Sequence, residues 1–85
     1  MQVLIPGALR SYTASSRAQA EGATLGAVLD DLERQYPGIR FRIIDEQGRI
    51  RRHIRIFVNG RQAAELALAL AARDEVVIVQ ALSGG

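Results

Sequence analysis

The chain ends in Gly84-Gly85, two residues without a Cβ that come just after the apolar run Val76 to Val79. Chain ends are often small and without consequence, but position gives this pair a chemical use. A thin arm leaving a strand can enter a narrow channel, and no side chain hinders attack on the carboxylate at its tip. The carboxylate itself is inert. Activation by ATP would convert it into a mixed anhydride that sulfide or a thiol could attack. The chain has nothing with which to perform that activation: no P-loop, no dinucleotide-type glycine motif and no paired acid and base. The expected role of the terminus is a carried group, and no residue within the domain is expected to be catalytic.

The remaining composition narrows the chemistry further. There is no cysteine, so thiolate catalysis is excluded, and His53 is the only histidine, which excludes a multi-histidine metal site. No metal is expected. All 11 basic residues are arginines, so Schiff-base chemistry, a P-loop lysine and lysine acceptors for conjugation are absent as well. His53 stands beside Arg51 and Arg52 with no acid or nucleophile paired to it in sequence, which favours a structural or exposed role over catalysis.

Arginines 40, 42, 49, 51, 52 and 55 could form a phosphate-binding face, and a nucleic-acid-binding module is the alternative from another class. The formal charge of only +2, with two phenylalanines and two tyrosines, argues against it. A solvated face, or a docking surface for an acidic partner built on Arg51, Arg52 and Arg55, is the better expectation. Phe57 alternates with Ile56 and Val58. It would join that surface if exposed, or be buried under the segment 63–72.

These groups must be positioned by a small domain. Eighty-five residues, 48% of them hydrophobic, make one domain able to bury a core without staples. We expect it to span 1–81, with a flexible tail over 82–85. Gln2 to Ile5 reads as a first strand stopped by Pro6-Gly7, and a second, partly exposed strand folded back on the first is expected from Ser11 to Glu21, closed by Gly22. Thr24 can cap a helix over 24–36, where Leu25, Val28, Leu29, Leu32 and Tyr36 draw one apolar stripe and Pro37-Gly38 supplies the stop. Ile39 to Asp45 fits a strand or a helical turn, and we take it as extended. Glu46 to Arg49 is a turn, Ile54 to Val58 a strand, and Asn59-Gly60 a tight reversal of type I′. Ala63 to Ala72, rich in alanine and leucine, is expected to be a short helical or 3₁₀ segment. Glu75 to Ala81 is an unbroken β-branched run, read as a central strand buried on both faces.

A hairpin, a crossing helix and a most apolar last strand placed beside the first make a β-grasp of the α+β class, a mixed four- to five-stranded sheet with one main helix on one face. The start lacks the cationic region of a signal peptide and no apolar run approaches a membrane span, so a soluble cytoplasmic protein with no membrane partner is expected.

Several stretches carry a resemblance over nearly the whole chain: Thr24-Leu25-Gly26-Ala27-Val28-Leu29-Asp30-Asp31-Leu32, Tyr36-Pro37-Gly38, Ile56-Phe57-Val58-Asn59-Gly60, and Asp74-Glu75-Val76 leading to Gly84-Gly85. The chain resembles the ubiquitin-like sulfur carriers of the small molybdopterin-synthase-subunit and thiamine-sulfur-carrier family. Ile5 to Arg10 and the arginine-rich region 49–55 resemble the branch that feeds sulfur to cysteine synthesis more than the molybdopterin branch, which is the alternative. The resemblance implies a cycle. An E1-like enzyme adenylates Gly85 with ATP, a sulfur source makes the thiocarboxylate, and a sulfur-accepting biosynthetic enzyme takes the sulfur. Gly85 would hold the sulfur and Gly84 would give access, with no cofactor bound by the carrier itself. Ala63 to Arg73 departs from the pattern, since relatives commonly have a Gly-rich or Asp-Gly loop there.

Overall fold

The computed structural model describes residues 1–81, so Gly84, Gly85 and the expected tail over 82–85 lie outside the described residues. In chain order the elements are β1 (Gln2–Leu4), a 3₁₀ turn (Gly7–Leu9), α1 (Arg10–Thr13), β2 (Arg17–Gln19), α2 (Leu25–Gln35), α3 (Ile39–Ile43), β3 (Ile54–Val58), β4 (Arg61–Ala63) and β5 (Glu75–Gln80). The strands form one mixed sheet of order β2-β1-β5-β3-β4. β5 runs parallel to β1 and antiparallel to β3, so the last strand does lie inside the sheet beside the first.

Helix α2 forms where the pattern places it. The Thr24 hydroxyl accepts from the Ala27 amide at 3.2 Å, and Leu25, Val28, Leu29 and Leu32 are fully buried. They pack into one core with Val3, Ile56, Val76 and Ile78 from the sheet. Burial of each such side chain is worth about 1.5–3 kcal/mol. Asn59 and Gly60 both have positive φ, 50° and 84°, the backbone that a two-residue type I′ hairpin requires.

Four expectations are corrected. Ile39 to Ile43 is helical, not extended. Its N-terminal amides find acceptors on the preceding helix: the Glu33 carboxylate accepts from Gly38 N at 2.9 Å and Arg40 N at 3.0 Å. The helical turn also buries Ile39, Ile43 and Ile44 together, whereas a strand would have put Phe41 inside with Ile39 and Ile43. Phe41 is instead 56% exposed, with the Arg51 guanidinium 4.6 Å from its ring centre.

The second correction lies between Ser11 and Glu21. Only Arg17–Gln19 is strand, because Leu9 and Thr13, four residues apart, are drawn inward by a turn of helix that ends at Ala14 in the left-handed region.

The third concerns 63–72, which contains no helix. Its start belongs to β4, since the tight reversal at Asn59-Gly60 returns the chain along β3, pairing Val58 with Arg61 and Ile56 with Ala63. Beyond it, the carbonyls of Leu66 and Leu68 accept from Gly26 N and Leu25 N, both at 2.9 Å. The connection thus supplies acceptors to the unpaired first-turn amides of α2. A carbonyl used in that way is not available for a helix of its own.

Finally, β5 is buried on one face only. Val76 and Ile78 are in the core, while Val77 is half-buried and Val79 is 39% exposed, because the helices all cover the same side of the sheet.

The start of β5 is tied to the β3–β4 turn by side chains. Asn59 donates to Asp74 at 2.9 Å and accepts from Glu75 N at 3.0 Å, and the other Asp74 oxygen accepts from Ala71 N at 2.7 Å. The Ala71 amide, then the Asn59 side chain, holds the Asp74 carboxyl below its ordinary value, and the Glu21 amide does the same for Asp31. A carboxyl whose pKa is lower in the folded chain stabilises the fold above its unfolded pKa, and that contribution is lost as the pH falls through the folded value. The denaturation midpoint should therefore hold level from pH 7 to 5 and fall below about pH 4, the ordinary carboxylate range. Asp74→Asn should lower the midpoint at pH 7 and flatten the acid-side fall, as read by urea titrations monitored by circular dichroism. An unaltered acid-side slope would remove Asp74 from this role.

Candidate functional site

β5 delivers the chain end at one edge of the molecule. Gln80 lies opposite Ile54, and Ala81 N donates to His53 O at 2.7 Å, the last backbone bond before residue 82. Because β1 is parallel to β5, the Pro6-Gly7 corner comes to the same edge. Pro6, Gly7, Ala8, Arg52, His53, Gln80 and Ala81 line an open groove there. The chain beyond Ala81 is thus launched from a place built by both termini of the domain. His53 contributes its backbone carbonyl to this exit, and among the described residues no side chain hydrogen-bonds its imidazole. No group of three His, Cys, Asp or Glu side chains is gathered for a metal among the described residues.

The second feature is the sheet face that no helix covers. Alternation along the strands puts Leu4, Phe57, Val77 and Val79 on it, with Leu4 opposite Val77, Phe57 opposite Val77 and Arg55 opposite Val79. Phe57 is half-buried there and stands apart from the core cluster. Arg17 lies at the β2 side of the face, opposite Leu4, and Gln62 at the β4 side, opposite Phe57. A small apolar centre edged by arginine and glutamine has the anatomy of a protein-docking surface.

Of the four residues expected to dock a partner, the structure brings Phe57 and Arg55 together on this face and sets exposed Arg52 at the tail exit. Arg51 is elsewhere. Its guanidinium covers Phe41 and its Nε donates to the Phe41 carbonyl at 2.7 Å, which ties it to α3. Leu4, Val77 and Val79 are the residues that sequence reasoning missed. A run of β-branched residues reads as doubly buried, and the signal against it was the presence of only one strong amphipathic helix to do the covering.

Charge is distributed along the strand direction. Arg10, Arg17, Arg42, Arg52 and Arg55 gather toward the exit edge, where Arg10 Nε donates to Ile5 O at 3.1 Å and Arg42 Nε to the Tyr12 hydroxyl at 3.0 Å. None of these five forms an ion pair among the described residues, whereas Arg34 and Arg40 are neutralised by Asp31 and Asp30, both at 2.9 Å. Glu21, Asp74 and Glu75 lie at the opposite edge, beside Met1 and Gln2. The edge from which the chain leaves is cationic, and its field reaches about a Debye length, ~8–10 Å, into solution.

The comparisons with known proteins agree with this architecture. The sulfur carrier protein CysO of Mycobacterium tuberculosis is 42% identical over 89 residues, covering 98% of this chain and 96% of that protein. Its crystal structure superposes with a TM-score of 0.89 at 39% identity, over 95% of this chain and 98% of that one. A chain in the BexX/CysO complex of Amycolatopsis orientalis gives a TM-score of 0.90 at 31% identity, over 99% and 98%. Small archaeal modifier protein 1 of Haloferax volcanii is 37% identical over 70 residues, 81% of this chain and 79% of that protein. The sequence matches the ThiS family over residues 3–85, and this β-grasp chain belongs to that family.

Proposed function

We propose that this chain is a sulfur carrier. An E1-like enzyme adenylates the Gly85 carboxylate with ATP, a sulfur source displaces AMP to leave a thiocarboxylate, and a biosynthetic enzyme of cysteine or a related sulfur-containing metabolite takes the sulfur. The observation that carries this reading is the 42% identity to a sulfur carrier protein over 98% of the chain. The Gly84-Gly85 end and the exit at Ala81 support it. The chain acts as a co-substrate of its partner enzymes, not as a catalyst. Gly85 holds the group and Gly84 keeps the approach to it open.

Docking divides between two kinds of contact. The apolar centre at Phe57, with Leu4, Val77 and Val79, supplies desolvation and slows dissociation. The unpaired arginines near the exit, Arg52 and Arg55 among them, draw an acidic surface toward the tail and set the association rate. Arg51, engaged with Phe41, contributes less.

Three measurements test this. Incubation with the activating enzyme, ATP and sulfide should add about 16 Da to the intact mass, the difference between one sulfur and one oxygen in this group-carrier role. Absence of an ATP-dependent adduct would reject the carrier reading.

His53→Ala should leave thiocarboxylate formation within a few-fold of the parent, because no partner positions the imidazole for proton transfer. A loss above about a hundredfold with the fold intact, the scale of general acid-base catalysis, would place a catalytic group at the exit.

Binding kinetics with the activating enzyme should show Phe57→Ala dissociating about tenfold faster, a cost near 1.4 kcal/mol. Arg52→Glu and Arg55→Glu should mainly slow association and weaken its salt dependence, with Arg51→Glu having the smaller effect. Unchanged kinetics for Phe57, Arg52 and Arg55 variants would move the interface to another face.

A further inference from the structure

An activated C-terminus is an acyl donor, and the common protein nucleophile that captures one stably is a neutral amine. Its nitrogen attacks the carbonyl carbon, the leaving group departs with the bonding pair, a proton passes to solvent and an amide remains. The whole chain contains no lysine, and arginine stays protonated and does not attack. There is no cysteine to form a thioester. Serine and threonine hydroxyls are too weakly nucleophilic at neutral pH without an activating base, and an acylated imidazole hydrolyses back.

The α-amino group of Met1 is an amine of another kind. The structure closes this group off in two ways. Met1 is only 8% exposed at the start of β1; its amine donates to the Glu21 carboxylate at 3.3 Å and its carbonyl accepts from Ala20 N at 3.1 Å. It also lies at the wrong edge of the sheet. Gln2 is level with Glu75 at the beginning of β5, so Ala81 is roughly 20 Å away along the strand at ~3.3 Å per residue. The four residues that follow Ala81 span at most about 14 Å when fully extended. The end of a chain therefore falls short of its own amine, and the amine of a second copy is held in an ion pair.

We propose that this chain is an acyl donor closed as an acyl acceptor toward copies of itself. The inference rests on the carrier reading above. Its consequence is that sulfide meets no competing amine on the carrier, and that any adduct with an amine of another protein stops at one unit.

The test installs the activated group chemically, on the full chain, as the Gly85 thioester of a small thiol released from an intein fusion. Held concentrated at neutral pH, the parent should decay to the free acid with at most a few percent of amide-linked dimer, seen by intact mass after excess thiol. Arg61→Lys and Arg73→Lys place an amine at exposed positions remote from the exit. Each should accumulate at least tenfold more thiol-resistant multimer. So should a chain extended by Gly-Ser-Gly ahead of Met1, which moves the α-amine away from Glu21. Parent multimers at the level of these variants would overturn the proposal, as would variants that stay monomeric while their thioester is consumed. Because no enzyme is involved, failure here is distinct from failure of the ATP-dependent mass gain.

Discussion

The parallel pairing of β1 with β5 is the constraint on which the rest of the structure depends. It joins Gln2 to Glu75 and Leu4 to Val77 across almost the entire chain. Closing so long a loop costs more than a local hairpin, though only by about 0.6 kcal/mol for each doubling of length. Val3, Val76, Ile56 and Ile78 offset it, each fully or almost fully buried on three adjacent strands. Once that pairing stands, the β-branched last strand has neighbours on both sides and both ends of the domain are assigned. The acidic start of β5 meets the N-terminus, and its end meets the Pro6-Gly7 corner.

The helix layer is held by the connection that follows β4 as much as by apolar contact. Leu66 and Leu68 lend their carbonyls to the first turn of α2, and Leu70 N donates to Ala23 O at 2.9 Å. Leu66 and Leu70 pack against the core at the same time. An irregular segment thus does the work of a cap and of a core layer together. With the helices committed to one side, Phe57, Val77 and Val79 stay on the other, and an apolar patch there is the residue of a domain with one layer of helix. Such a patch is costly to solubility in isolation, which is the reason its arginine border matters.

How much was legible in the sequence divides along the same line. Leu25, Val28, Leu29 and Leu32 declare α2 because helix period and cap agree locally, and Asn59-Gly60 declares its turn because few other pairs accept two positive φ values. The β-grasp topology followed from the apolar last strand, and the place where the tail leaves followed from the topology. What escaped was decided by distant partners. Ile39 to Ile43 became helical through Glu33, and Ala64 to Asp74 stayed irregular through the amides of α2. Of the docking candidates, Arg55 and Phe57 kept their expected face because strand alternation is local information. Arg51 was lost to Phe41, an aromatic whose exposure depended on the unread α3.

The exit shows how strand register fixes the place from which the chain leaves the domain. Strand register has a period of two, so a slip of β5 by one residue would turn Val76 and Ile78 out and Val77 and Val79 in. It would also carry Ala81 away from the His53 carbonyl and Arg55 away from Val79. By apolar area that slip trades Val76 and Ile78 for Val77 and Val79, a difference of about one methylene, so polar contacts at the two ends of β5 hold the register: Asn59 Oδ1 accepts from Glu75 N at 3.0 Å and His53 O accepts from Ala81 N at 2.7 Å. The point at which the chain leaves the sheet, and its distance from the arginines of the exit edge, are therefore set by the register of β5 against β3. The sequence after Ala81 can then be as short as Leu82-Ser83-Gly84-Gly85, because the place from which it leaves is fixed one strand upstream.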